Sequence, residues 1–150
     1  MTINCAKTAT EAHLQLTLND MSNLLANGDA HGLASYFECP LPVYLADEFF
    51  LFQCRKKIAK ALADYMFEMA RCDIRRIEPS LVHVEDSTPR RSLFVARWNY
   101  YGNRPTSTSC NIVRYVGRRR KLDGLMRIEL VEYLSTGGMN IPSHLFGAGA

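Results

Sequence analysis

The first quarter of the chain has the apolar spacing of helices. From Thr10, apolar residues recur at steps of three and four, which places them on one stripe of an amphipathic helix. That stripe consists of Leu14, Leu18, Met21 and Leu25. Asp29 is positioned to cap a second, short helix, and Pro40 prevents that helix from continuing.

A short strand and a long helix are expected next. Residues 43–52 are rich in aromatic and branched side chains, which predicts one strand. Residues 54–71 return to helical spacing. Their apolar stripe consists of Ile58, Leu62, Tyr65 and Met69.

After Cys72 the apolar period changes from helical spacing to two, which is typical of strands. Four strands are predicted, at residues 76–86, 92–101, 107–118 and 125–134, joined by turns rich in Gly, Pro, Asn and Asp. Helices followed by a run of strands predict an α+β fold with helices on one side of an antiparallel sheet. We expect one domain over residues 1–136 and a Gly-rich tail at 137–150.

The strand at 92–101 is apolar on both faces. One face carries Phe94, Ala96, Trp98 and Tyr100, while Leu93 and Val95 lie on the other. In a sheet with one face in solvent, apolar and polar residues alternate more regularly than they do in this strand. We therefore expect the outer face to contact a second copy of the chain, giving a homodimer.

The composition is that of a globular domain, with 47% hydrophobic and 22% charged residues among 150. Eighteen basic residues against fifteen acidic ones leave a net charge of +3, too small to indicate nucleic acid as a partner. No apolar stretch is long enough for a membrane span. Five cysteines without a C-x-x-C pair are typical of reduced, mostly buried thiols, so we expect a cytoplasmic protein. The spacing of His and Cys predicts neither a metal site nor a cofactor.

Three short motifs resemble the nuclear transport factor 2-like superfamily, which includes ketosteroid isomerases and polyketide cyclases. They are Asn27-Gly28-Asp29, Pro42-Val43-Tyr44 and Gly124-Leu125-Met126-Arg127-Ile128. The order of helices and strands over residues 14–134 is also similar. The resemblance implies a cystatin-like cone, in which a strongly curved, mainly antiparallel sheet wraps around the long helix and leaves a conical cavity. It also implies dimerisation through the sheet, as in many members.

The resemblance further implies which residues line that cavity. The implied ligand-binding residues are Tyr36, Tyr44, Tyr65, Phe94, Trp98, Tyr100, Ser109, Asn111, Glu129 and Tyr133, with Met21, Phe37, Ala96, Ser107, Val113 and Val131 beside them. The mouth would lie near Tyr44 and Asp47. Walls of this kind suit an apolar or aromatic small molecule.

Two kinds of enzyme that work by proton transfer can be considered, by asking whether the implied cavity residues include the groups that each one needs. A ketosteroid-isomerase-like site needs a carboxylate base and two acidic donors. Asp47 can serve as the base, but the donor positions hold Met21, which cannot donate, and Asn111. Steroid isomerisation is therefore not expected. A cyclase or dehydratase could instead pair His83 with Asp47.

The run G-R-R-R-K at residues 117–121 is charged enough to contact an anion, but a solvated hairpin tip is the simpler interpretation. Three functional hypotheses stay open. The chain is a small-molecule-binding protein, or a cyclase, isomerase or dehydratase without metal or redox cofactor, or a non-catalytic interaction module. The enzyme hypothesis requires Asp47 and His83 to reach one cavity.

Overall fold

Residues 2–45, 47–103 and 108–137 are described by a computed structural model and contain three helices and six strands. The elements are α1 (Thr2–Ala26), α2 (Ala30–Ala34), β1 (Leu41–Leu45), β2 (Glu48–Phe52), α3 (Arg55–Arg71), β3 (Ile74–Ser87), β4 (Arg91–Gly102), β5 (Thr108–Arg119) and β6 (Met126–Gly137). The α+β class is confirmed. The predicted tail lies outside the described residues apart from Gly137, and so does Ser107.

The helical predictions are confirmed, with one shift in a boundary. Helix α1 begins at Thr2 rather than near residue 10, and its stripe residues Leu14 and Leu18 are fully buried. Asp29 caps α2, because its Oδ1 accepts a hydrogen bond from the Gly32 amide at 2.8 Å. None of the described helices is long and apolar enough to cross a membrane.

The single strand predicted over residues 43–52 is wrong. The segment forms a hairpin, in which β1 and β2 pair antiparallel and Asp47 lies in the turn between them. A polar residue between two short apolar runs provides the physical reason, because a turn there lets both runs join the sheet.

The six strands form one sheet in the order β2-β1-β6-β5-β4-β3. Every neighbouring pair is antiparallel except β1 and β6, which run parallel. The first strand of the chain, β1, therefore pairs with the last one, β6. This leaves β3 at one edge of the sheet and the β1–β2 hairpin at the other.

Helix α1 is fixed to the inner face of the sheet by side chains that reach backbone groups of β3. The amide of Gln15 donates to the Pro79 carbonyl at 3.0 Å and accepts from the Leu81 amide at 2.8 Å. About two turns further along, the Ser22 hydroxyl donates to the Ile77 carbonyl at 3.1 Å. One buried apolar cluster joins the three helices to this inner face.

Candidate functional site

Two small cavities lie inside the cone, between the helices and the inner face of the sheet. Each has a volume of about 70 Å³. Their walls share Phe37, Ala61, Leu62, Tyr115 and Tyr133. An engineered apolar cavity of about 150 Å³ is known to bind benzene. The two cavities together therefore approach the space of one small ring, provided that a shared side chain moves aside.

Aromatic and aliphatic side chains make up both walls. The first cavity has more lining residues than the second. In addition to the shared residues, it is lined by Met21, Leu25, Leu33, Tyr65, Trp98, Tyr100 and Val113. The second cavity adds Leu41, Val43, Phe52, Ile58 and Val131. Such walls favour an apolar occupant.

Several polar atoms beside the first cavity are buried without a partner. Asn111 is 0% exposed, and neither atom of its amide makes a well-formed hydrogen bond within the described residues, although a weaker interaction with Asn111 acts to lower the pKa of Tyr100. On the sheet, Asn111 lies directly opposite Trp98 of β4 and two residues from Ser109 on its own strand. The buried hydroxyl of Ser109 also has no hydrogen-bond partner within the described residues. The hydroxyl of Tyr65, on α3, is also buried without a well-formed hydrogen bond there, and its interaction with Tyr100 helps to raise its pKa. Each orphaned group of this kind costs about 1–3 kcal/mol.

The buried tyrosines hold their protons at neutral pH. Burial raises the pKa of Tyr100 to about 12, and burial also raises the pKa of Tyr65, Tyr115 and Tyr133 well above the usual value. Neutral phenols can donate hydrogen bonds but are poor bases. One of them already has a partner, because the Trp98 indole donates to the Tyr115 hydroxyl at 2.9 Å.

The predicted pair of Asp47 and His83 is not assembled. Asp47 is exposed in the β1–β2 turn at one edge of the sheet. His83 lies on edge strand β3, its side chain is 56% exposed, and its nearest acidic atom belongs to Glu85 at 4.0 Å. Since β1 and β3 are four strand spacings apart in the sheet, at about 4.8 Å each, the two side chains do not reach one cavity.

The inward orientation expected for Glu129 is also wrong. A register shift in β6 pairs Val116 with Leu130 but Gly117 with Ile128, so Glu129 is an extra, bulged residue. Its Oε2 accepts from Arg91 at 2.9 Å, on the outer side of the sheet. The bulge reverses the inward and outward alternation of the residues that precede it in β6. Ile128 therefore faces inward and is buried in the core.

The other predicted residues divide between the inner and outer faces. Trp98, Tyr100, Tyr65 and Tyr133 line a cavity, whereas Asn111 and Ser109 lie beside it. Three further residues, Phe94, Tyr36 and Tyr44, line neither cavity. Phe94 packs on Tyr115 in the core, with ring centres 5.4 Å apart, and Tyr36 is half-buried against the core. Tyr44 is 40% exposed and packs on Phe49, so the mouth predicted there is not found.

Sequence reasoning missed three wall residues that line both cavities, Ala61, Leu62 and Tyr115. Tyr115 follows Val113 on the same face of β5, so continued alternation could have identified it. Leu62 belongs to the predicted apolar stripe of α3 and was assigned to packing alone. Among the described residues, no three His, Cys, Asp or Glu side chains lie close enough together to hold a metal ion.

The curved sheet around a long helix, with a small aromatic interior, defines a cystatin-like α+β cone. No family model matches the chain, and no curated protein matches it. Solved structures do. A cystatin-like domain of unknown function from Nostoc punctiforme has a TM-score of 0.64 at 19% identity, covering 94% of this chain and 85% of the other.

Two further structures support the same fold. An NTF-2-like protein of unknown function from Shewanella oneidensis has a TM-score of 0.62 at 11% identity, covering 81% of this chain and 96% of that one. A putative scytalone dehydratase from Novosphingobium aromaticivorans has a TM-score of 0.57 at 15% identity, covering 89% and 87%. The chain therefore has the nuclear transport factor 2-like fold, which confirms the resemblance noted in the sequence.

Proposed function

We propose that this chain binds a small, mostly apolar molecule that carries one or two hydrogen-bonding groups. The observation that carries the proposal is the group formed by the fully buried Asn111 amide and the Tyr65 hydroxyl, which make no well-formed hydrogen bond within the described residues and both interact weakly with the hydroxyl of Tyr100 between them. Buried polar groups are rarely left unpaired. A hydroxyl or carbonyl on a ligand would satisfy these atoms and offset their desolvation.

Binding is favoured over proton-transfer catalysis by the chemistry of the walls. Neither cavity is lined by a carboxylate or an imidazole among the described residues. The tyrosines there are neutral donors, since burial raises the pKa of Tyr65 and Tyr100. They suit recognition of an oxygen acceptor better than abstraction of a proton.

A pair of single-ring probes tests this proposal. Trp98 is the only tryptophan of the chain and lines the first cavity, so its fluorescence reports binding there directly. Phenol and toluene differ only in the hydroxyl that replaces a methyl group. We expect phenol to bind at least tenfold more tightly than toluene, because only phenol can satisfy Tyr65 and Asn111.

Matched Tyr→Phe variants identify the site. Tyr65→Phe should reduce the preference for phenol over toluene to less than threefold. Tyr36→Phe serves as the control, because Tyr36 is half-buried and lines neither cavity. Equal preference in both variants, or no change in Trp98 fluorescence with either probe, would contradict the proposal. Mass spectrometry of the purified protein should also find a retained small molecule, which Trp98→Ala should release.

We also propose that the outer face of the sheet pairs with a second copy of the chain. Leu93, Val116 and Leu130 are direct cross-strand neighbours on β4, β5 and β6, are half-buried, and form an apolar row on that face. Beside this row, Arg114 is held by Glu85 at 2.7 Å and by Glu132. An apolar row next to a set of paired charges suits a self-complementary interface.

Sedimentation of two Val→Glu variants tests the homodimer. Val116→Glu places a charge in the centre of the apolar row and should give a monomer. Val82→Glu is the control on edge strand β3, where Val82 is already 47% exposed, and should sediment as the wild type does. A monomeric wild-type protein would refute the interface.

A cytoplasmic location is proposed from the thiols. Cys39, Cys54 and Cys72 are free and exposed, and Cys110 is free and half-buried, contrary to the expectation of mostly buried thiols. Exposed free thiols persist in a reducing compartment. Location of a tagged full chain in cells, together with labelling of its thiols before lysis, checks this proposal.

A further inference from the structure

A wide, open cleft lies outside the cone, where the turn between β5 and β6 meets residues 38–40. Its volume is about 660 Å³. The basic residues that line it are Arg90, Arg118, Arg119, Arg120, Lys121 and Arg127, and its acidic residues are Glu38 and Glu129. Apolar contact is provided by Pro40 and Leu122. The cleft thus has the size of a small-molecule site but a strongly positive wall.

The positive charge is concentrated there rather than spread over the surface. The cleft holds six of the eighteen Lys and Arg residues but only two of the fifteen Asp and Glu residues. Both of those acids already face a cation, since Glu129 pairs with Arg91 at 2.9 Å and Glu38 lies 4.0 Å from Arg127. Glu129 keeps a second oxygen, Oε1, which is buried without a hydrogen-bond partner in the described residues, but six basic residues against two acidic ones still leave the cleft with an excess of four positive charges.

Most of the cations lack a carboxylate of their own. Arg120 is 3.4 Å from Asp123, an exposed pair of little energetic weight. Four of the six basic residues of the cleft form no ion pair with a described residue, namely Arg90, Arg118, Arg119 and Lys121. The Nε of Arg119 is in addition buried without a hydrogen-bond partner there. Like charges gathered in this way repel one another unless an anion joins them.

The backbone holds these side chains in a defined arrangement. The Gly124 amide donates to the Arg120 carbonyl at 2.9 Å, and Gly124 adopts a φ of 69°, which glycine allows without strain. The Asp123 carboxylate accepts from the Leu125 amide at 3.0 Å. On the neighbouring turn, the Arg90 carbonyl accepts from the Arg119 amide at 2.7 Å. The turn before β4, which carries Arg90, is therefore hydrogen-bonded to the end of β5, and these two segments together with the turn between β5 and β6 carry most of the basic residues of the cleft.

We propose that this cleft binds a small molecule that carries two or more phosphate groups. Guanidinium groups match phosphate oxygens in pairs, and four unpaired cations can neutralise more charge than one phosphate carries. A bounded concave shape, with Glu38 and Glu129 on its wall, fits a compact ligand rather than a long polyanion. The site goes beyond the proposed interior ligand, because neither interior cavity includes any of its residues.

Calorimetric titration of the full chain with pyrophosphate tests the proposal. The double variant Arg118→Ala/Lys121→Ala removes two exposed, unpaired cations of the cleft. Its control, Arg75→Ala/Lys56→Ala, makes the same change in composition and net charge at exposed positions outside the cleft. Circular dichroism and the melting temperature of each variant establish that it is folded.

We expect the cleft variant to bind pyrophosphate at least tenfold more weakly than the wild type does, and the control to remain within twofold. The wild-type affinity should also fall as sodium chloride is raised, because the contacts are ionic. No binding at millimolar pyrophosphate, or equal losses in both variants, would overturn the proposal. So would orthophosphate binding as tightly as pyrophosphate, or a single-stranded RNA oligonucleotide binding more tightly than pyrophosphate at physiological salt.

Discussion

Replacing Asn111 with leucine should stabilise the protein and abolish its preference for a polar ligand. The amide of Asn111 has two polar atoms without a partner in the described residues, at 0% exposure. Two orphaned groups at the low end of the usual range cost about 2 kcal/mol. Leucine is similar in shape but slightly bulkier, and overpacking offsets about 1 kcal/mol of that gain. The net increase in the free energy of unfolding is therefore about 1 kcal/mol, or about 3 °C in the melting temperature.

The measurement is urea unfolding of protein that has been freed of bound molecules by refolding. Ser22→Ala is the matched control, because the buried Ser22 hydroxyl does have a partner, the Ile77 carbonyl at 3.1 Å. Removing that satisfied group should lower the free energy of unfolding by about 0.5–1 kcal/mol, even after the better helix propensity of alanine is included. A leucine variant less stable than the wild type would refute the reasoning, because it would mean that the weak contact between the Asn111 amide and the Tyr100 hydroxyl is a full hydrogen bond in the free protein.

Three further predictions concern the walls of the cone. Trp98→Phe should lower the free energy of unfolding by about 1–3 kcal/mol, because it leaves the Tyr115 hydroxyl without its donor at 2.9 Å; chemical denaturation measures this, and an unchanged midpoint would contradict it. Gly117→Ala should cost about 1–3 kcal/mol in the same assay, since a Cβ there would lie 2.4 Å from the sulfur of Met126; a neutral result would mean that the methionine moves freely. Stability should fall with alkaline pH: burial raises the pKa of Tyr100 to about 12, while an unfolded tyrosine titrates near 10, so its contribution is complete below about pH 10 and declines by about 1.4 kcal/mol per pH unit up to about 12. Burial also raises the pKa of Tyr65, Tyr115 and Tyr133, so the total decline should be steeper than that of Tyr100 alone. Urea unfolding from pH 9 to 11.5 checks the slope, and a flat profile would refute it.

Alternation along regular strands was enough to predict much of the inner face. Trp98 and Tyr100 on β4, and Asn111 on β5, face inward because β4 and β5 pair without a register shift. In such a ladder, the parity of one residue fixes the parity of all the others. The helical stripe containing Leu14 and Leu18 was predictable for a similar reason, since its period is set by the helix itself.

Local pattern failed where the sheet departs from that regularity. A single extra residue in β6 turned Glu129 outward, and no feature of its side chain signals the bulge. The pairing of Asp47 with His83 failed for a topological reason. Strand order is not chain order here, because β6 lies between β1 and β5, and this moves the two residues to opposite edges of the sheet.

The arginine-rich turn shows how tertiary structure changes the meaning of a local charge run. Taken alone, residues 117–121 are typical of a solvated hairpin tip. In the fold, Arg90 and Arg127 approach the same turn from other parts of the chain and convert that tip into one wall of a cleft. Cations that would each be solvated separately then share one concave surface, and this sharing is what favours a multivalent anion.

The segment that separates the two candidate sites explains how one small domain can hold both. Phe37 lines both interior cavities, whereas the next three residues, at 38–40, line the basic cleft. This segment is fixed to β6 by two backbone hydrogen bonds, from Glu38 to the Ile128 carbonyl at 2.8 Å and from Ile128 to the Tyr36 carbonyl at 2.6 Å. This short segment therefore contributes residues to the walls of both candidate sites. The tyrosines of the interior are neutral because burial raises their pKa, whereas Arg118 and Lys121 of the cleft are exposed to solvent.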